Sequence, residues 1–226
     1  MKLPNLITDL SGVYGEEGFI DALESSGQSF DLLDLRSLEG TFCYCDSEAA
    51  DSIRKLISPW LNVPGLHWID SGDYHYLSLF FCEAIKEPFT LVLLDNHPDD
   101  MGPEFPGVLS CGSWAGVVRK KCPFVKDIIT IGPEGERPSF GNLEGKVYIS
   151  LDKDIMDTKW ARTDWSQGGF SLDEIKAIIR NVAALSDGIL GIDICGELSR
   201  SQGAKDSDLE TNLRTNLSLM SFIGSL

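Results

Sequence analysis

The sequence predicts an α/β fold built on a largely parallel sheet, and two observations carry that prediction. Four short runs, "FTLVLLD" (89–95), "DIITIG" (127–132), "KVYISLD" (146–152) and "GILGIDI" (188–194), are apolar through most of their length. Strands covered on both faces read this way, whereas a strand with one wet face alternates. Helix signals fall between such runs, and alternation of strand and helix is what a parallel sheet with crossover helices requires.

The helices have recognisable ends. "DSEAADSIRKLI" (46–57) begins on the cap-forming Asp46 and stops at Ser58-Pro59, and "YLSLFFCEAIKE" (76–87) stops at Pro88. "SLDEIKAIIRNVAAL" (171–185) opens with Ser171 and Glu174, the spacing of a capping box. "SDLETNLRTNLSLM" (207–220) repeats that spacing with Ser207 and Glu210. Its Leu209, Leu213, Leu217 and Met220 recur at helical spacing, the pattern of a core-facing stripe.

A chain of 226 residues, 42% hydrophobic and 24% charged, suits one domain over 1–226 with a sizeable core. No internal repeat, linker or low-complexity tract interrupts it. The formal net charge of −16 argues against non-specific nucleic-acid binding, which needs a basic surface, and favours cationic ligands over anionic ones. No apolar run approaches the length of a membrane span, and "MKLPNLITDLSG" has neither the h-region nor the cleavage site of a signal peptide. A cytoplasmic location is therefore expected, with a small molecule as partner and self-association left open. Cysteines at 43, 45, 82, 111, 122 and 195 show no C-x-x-C pair and read as reduced, mostly buried thiols.

Acceptors collect where the strands end. The first run closes on Asp95-x-His97-x-Asp99, the third on Asp152-x-Asp154 with Asp157 following, and the fourth carries Asp193 with Glu197 following in "GIDICGE" (191–197). Residues two apart in extended chain project to one side, and open α/β sheets bind ligands at the carboxyl ends of their strands. If Asp95, Asp99, Asp152 and Asp154 converge, four negative charges share a small space with no arginine among them, and Lys153 would point to the other side of its strand. Two divalent cations would cancel that charge. Mixed carboxylate and imidazole donors suit Mn²⁺, with Fe²⁺, Co²⁺ and Zn²⁺ as competitors. Of the three histidines, His67 reads as structural, while His75, at the junction of a glycine-containing loop and a helix, is by itself more often a helix-end residue than a ligand.

Five segments in order change that reading. "SGDYHY" (71–76), "DNHPD" (95–99), "SLDKDIMD" (150–157), "QGGFSLDEI" (167–175) and "GIDICGE" (191–197) resemble the motif series of the ureohydrolase (arginase/agmatinase/formimidoylglutamase) superfamily over roughly residues 65 to 200. The resemblance implies a three-layer α/β/α fold and a binuclear manganese site held by His75, Asp95, His97, Asp99, Asp152 and Asp154. It also implies hydrolysis of a guanidinium or amidine by a hydroxide between the metals, with Asp99 helping to carry the proton to the leaving amine.

The departures lie on the substrate side. Tyr74 is inserted before His75, Gly196 stands where the family places a glutamate, and "LSCGSWAG" (109–116) replaces the segment that bears a further histidine in arginases. Glu197 is then the expected acceptor for a cationic head group, with Asp193 beside it, and Gln167, Trp114 and Trp165 are the expected substrate contacts. Cys111 lacks a neighbouring base and reads as a loop or pocket-lining residue. Three functions follow: a metal-dependent hydrolase of a linear C–N bond in a guanidino or amidine compound, a deacetylase-like amide hydrolase, and a non-catalytic metal- or small-molecule-binding protein.

Overall fold

Seven strands form one sheet in which every neighbouring pair runs parallel. The computed structural model describes residues 4–61, 64–102, 108–132 and 143–226. In chain order the strands of this sheet are β1 (Asn5–Asp9), β2 (Asp31–Asp34), β4 (Leu66–Trp68), β5 (Phe89–Leu94), β7 (Val125–Ile131), β8 (Lys146–Asp152) and β9 (Ile189–Cys195). Their order across the sheet is β2-β1-β4-β9-β8-β5-β7, and β3 (Tyr44–Cys45) and β6 (Leu109–Ser110) form a separate antiparallel pair.

Helices cover both faces, giving three layers. On one side α1 (Val13–Glu16), α2 (Phe19–Ser26), α6 (Leu172–Leu185) and α7 (Asp206–Ile223) pack over Val92, Leu94, Ile149, Leu151, Ile192 and Ile194. On the other α3 (Ser47–Ile57), α4 (Leu77–Ala84) and α5 (Trp114–Lys121) pack over Phe89, Leu91, Leu93 and Tyr148. Alternate residues of β5 and β8 thus feed two cores, which is why these strands are apolar throughout. β5, β8 and β9 sit side by side in the middle of the sheet, so their carboxyl ends open at one place.

The expected strands are present within two residues of their sequence bounds, while β1, β2 and β4 lie in a part of the chain that carries no long apolar run. α6 begins on Ser171, whose hydroxyl accepts from Glu174 N while Glu174 accepts from Ser171 N, the full capping box. α4 ends at Ala84, three residues short of Glu87. α7 corrects the expected register. Its cap lies at Lys205, whose N–H is held by Asp208 at 3.0 Å, and not at Ser207. Leu209 and Met220 are buried, Leu213 is half-buried, and Leu217 is 37% exposed. The buried face instead includes Asn212 and Asn216, both of which bond inward. No helix among the described residues is long and apolar enough to cross a membrane.

This capping difference is measurable. Removing a side-chain cap costs about 1 kcal/mol, so Ser171→Ala should lower the urea midpoint accordingly. Ser207→Ala should stay within about 0.5 kcal/mol of wild type. Equal losses at the two serines would contradict the α7 boundary.

Candidate metal centre

The ends of β5 and β8 and the loops that leave them bring five donor side chains together with one from the turn before α4. That turn, Gly72–Tyr74, is a single 3₁₀ turn that absorbs the inserted Tyr74 by burying its ring. His75 follows directly, and its Nδ1 lies 3.0 Å from Asp99 Oδ2, 3.3 Å from Asp95 Oδ2 and 3.6 Å from Asp152 Oδ2. A second group forms around His97, whose Nδ1 lies 2.7 Å from Asp154 Oδ2 and 3.6 Å from Asp95 Oδ1. Asp95 offers one oxygen to each group and joins the two.

Each donor is held from behind. His75 Nε2 lies 2.9 Å from Ser150 Oγ, and Ser150 donates to Asp193 Oδ1 at 2.6 Å, so the relay leaves Nδ1 as the free face of the ring. Ser166 Oγ does the same for His97 Nε2 at 2.8 Å. Asp95 Oδ1 accepts from His97 N, Asp152 Oδ1 from Asp154 N, and Asp154 Oδ1 from Asn96 N. Asp99 adopts a left-handed backbone with φ of 47°, its carbonyl accepts from Ala115 N, and its Oδ2 accepts from Trp114 Nε1 at 2.7 Å. A non-glycine residue at positive φ is strained, and the amino end of α5 holds this one in place.

Burial makes the cluster electrostatically costly. His75, Asp95, Asp99, Asp152 and Asp154 are all buried, and only His97 reaches solvent, with about a third of its side chain exposed. Desolvation, then Asp154 and Asp95, push Asp152 up to about 8; desolvation and Asp95 push Asp154 up to about 6. Asp99 rises for the same first reason. Hydrogen bonding to Asp154 and Asp95 raises His97 to about 10. Burial works against charging His75, yet Cys195, Asp95 and Asp99 beside it more than offset this and hold it well above the usual imidazole value. The polypeptide alone therefore holds this cluster together with protons.

Divalent cations fit the same donors. His75 Nδ1 and Asp95 Oδ2 are buried and, although 3.3 Å apart, neither makes a well-aligned hydrogen bond. Two buried polar atoms aimed at one point without satisfaction are what an ion would satisfy. His75, Asp95 and Asp99 form one set of converging donors, and Asp95, His97 and Asp154 form another. Cys195 was not singled out in the sequence, yet it converges with His75 and Asp152. Its Sγ lies 3.1 Å from Asp152 Oδ2, and burial raises its pKa well above the usual thiol value, so it acts as a donor to that carboxylate.

The expected substrate residues are placed elsewhere. Glu197 is fully buried and ion-paired with Lys153, with Asn216 bonding both. It turns away because Gly196 leaves β9 at φ of +91°, and a Cβ there would come 2.5 Å from Asp152 Oδ1. Asp193 is the terminus of the His75 relay. Gln167 donates to the carbonyls of Met156 and Ala161 and braces its own loop. Trp114 is buried beneath Asp99, where its indole positions a carboxylate. None of these four lines the cavity above the cluster, which measures about 480 Å³.

That cavity is walled by the six donors together with Cys43, Tyr44, Met101, Ser110, Cys111 and Trp165 and by glycines. Cys111 N donates to Cys43 O, carrying the β3–β6 pairing to the cavity wall. Trp165 stands edge-on to His97 at 5.8 Å. His67 lies away from this site, stacked on Phe81 at 3.8 Å with burial lowering its pKa to about 3. Asp100 and Asp157 are exposed.

No protein-family model matches the chain. An uncharacterized protein of Thermotoga maritima is 29% identical over 228 residues, covering 95% of this chain and 87% of that protein. Among solved structures, the formimidoylglutamase of Bacillus subtilis aligns with a TM-score of 0.65 at 13% identity, over 98% of this chain and 86% of that one. The arginase of Bacillus caldovelox aligns at 0.60 and 15%, over 100% and 98%. A T. brucei arginase-like triple mutant bound with Mn²⁺ aligns at 0.63 and 15%, over 98% and 90%. The chain has the arginase-type fold.

The proton inventory fixes a pH response. A metal ion needs neutral imidazole and ionised carboxylate, whereas the metal-free cluster keeps protons on Asp152 to about pH 8 and on His97 to about pH 10. Apparent manganese affinity should rise steeply from pH 6 to pH 9, with protons released on binding. A flat affinity over that range in a calorimetric titration would contradict the assignment.

Proposed function

We propose that this chain is a divergent member of the ureohydrolase superfamily that hydrolyses a linear C–N bond in a guanidino or amidine compound. The metals are two divalent cations, Mn²⁺ preferred, with Fe²⁺, Co²⁺ or Zn²⁺ as substitutes. The observation that carries this reading is the pair of donor sets sharing Asp95, with unsatisfied buried atoms facing inward.

His75, Asp95, Asp99 and Asp152 would hold one ion, and Asp95, His97 and Asp154 the other. When bound, such ions lower the pKa of a water and polarise the carbon under attack. The remaining work falls to the chain's own groups. Ser150 and Asp193 keep the Nδ1 lone pair of His75 inward, and Ser166 does this for His97. Trp114 and the amino end of α5 fix Asp99, whose carboxylate lines the cavity and would pass a proton from water to the departing amine. In the overall reaction the water oxygen joins the amidine carbon, the C–N bond breaks, and the amine leaves with the proton. His97, the one ligand open to solvent, marks the side of entry.

No histidine follows His97 in the sequence, and the acidic residue after β9 is spent on Lys153. Free arginine is therefore a poor substrate. The test is a panel of guanidino, amidine and amide compounds offered to manganese-loaded protein, with urea, ammonia and amine as readouts. At least one guanidino or amidine compound should be turned over and chelation should abolish it, while turnover of arginine should stay far below about 10 per second, the median for enzymes. Release of amine from amides alone, or no turnover by fully loaded protein, would overturn this reading.

A further inference from the structure

The part of the cavity away from the donor cluster has a composition that the proposed chemistry does not require. Tyr44, Met101 and Trp165 line it while remaining 38%, 67% and 40% exposed, and Phe42, 61% exposed, precedes the lining residue Cys43. Large apolar side chains left in water together around one opening mark a binding surface, whereas single ones need no explanation. Cys43, Cys111 and Met101 add three sulfur atoms to the same wall, and sulfur packs favourably against aromatic rings.

Charge is missing from the described part of this wall. Among the described lining residues, the only Asp, Glu, Lys, Arg or His side chains are those of the donor cluster. Four aspartates balanced by two divalent cations leave no carboxylate for a charged tail. The neighbouring acids among the described residues already have partners. Asp73, buried behind Trp165, accepts from Cys43, Ser71, Trp165 and Gln202, and Asp164 accepts from Gln202 at 2.6 Å. Glu197 is paired with Lys153, and Gly196 has no room for a side chain. Among the described lining residues, a carboxylate or ammonium on the substrate would lose its hydration without gaining a charged partner outside the donor cluster.

We propose that the outer cavity is a subsite for an uncharged, apolar or aromatic substituent on the nitrogen of the scissile bond. The substrate class is an N-alkyl or N-arylalkyl guanidine or amidine, and not an amino acid or a diamine derivative. The reacting end rests on the function proposed above; the subsite rests on the wall alone. The ring of Trp165, edge-on to His97, is placed to carry the substituent next to the metal ligands, with Tyr44 and Met101 completing the contact.

The experiment compares 2-phenylethylguanidine, agmatine and arginine on manganese-loaded protein, following urea release and, separately, binding by calorimetry. The expected result is a kcat/KM and an affinity for 2-phenylethylguanidine at least tenfold above those for agmatine. Met101→Glu, at an exposed position that the fold does not depend on, should shift the ratio at least tenfold toward agmatine. Agmatine or arginine preferred or equal by either measure, or a ratio unmoved by Met101→Glu, would overturn the subsite. If no compound releases urea, the hydrolase reading fails while calorimetry still decides the subsite. Tenfold tighter binding of 2-phenylethylguanidine, abolished in Trp165→Ala, supports it; equal or absent binding of all three refutes it.

Discussion

Four aspartates that the fold forces together, without a lysine or arginine of the chain among them, are the constraint from which the rest of the structure follows. Asp95, Asp99, Asp152 and Asp154 are each buried, and burial of a carboxylate beside others is tolerated only by protonation or by an external positive charge. Raised pKa values at Asp152, Asp154 and Asp99 show the first solution in the polypeptide alone. Converging oxygens and imidazole nitrogens with unsatisfied buried atoms make the second available. The parallel sheet supplies the convergence, since β5 and β8 are adjacent and release their acidic loops at the same edge. A sheet with these strands apart would leave the same residues as solvated loops.

The chain does contain a buried cation, and its placement keeps the cluster acidic. Lys153 sits between Asp152 and Asp154 in sequence, yet the 3₁₀ turn Lys153–Ile155 directs it to the opposite side, into Glu197 and Asn216. Glu17 joins through Asn216 and has its pKa raised well above the usual value, first by burial and then by Glu197. This second polar network ties α1, the turn after β8, the end of β9 and α7 together behind the donor loops. Two charge systems thus lie back to back, one closed by Lys153 and one open to external ions.

The sequence made legible those parts whose physics is local or doubly buried. β5, β8 and β9 stood out because both faces are covered, and Asp95-x-His97-x-Asp99 and Asp152-x-Asp154 because acceptors accumulate at strand ends without compensating charge. β1, β2 and β4 did not stand out. β4 is three residues long, and β2 is an edge strand with mostly exposed side chains, so neither leaves an apolar run to find. Glu197, Gln167 and Trp114 were misplaced for one shared reason: type and position along the chain do not give direction. A left-handed Gly196 turns Glu197 inward, backbone carbonyls claim Gln167, and Asp99 claims Trp114. Cys195 lacked any spacing signal, since its partners come from distant segments. The start of α7 was misjudged because two acceptors, Asp208 and Glu210, each follow a residue that could stand at the cap, and only the backbone path chooses between them.

The central claim is that Asp95 joins two cation sites, and anomalous scattering from crystals grown with manganese tests it most directly. The account predicts two peaks per chain, roughly 3.5–4 Å apart as in two-metal sites, one on each side of Asp95 and neither at Glu197. A single peak, or none at full manganese loading, would contradict it.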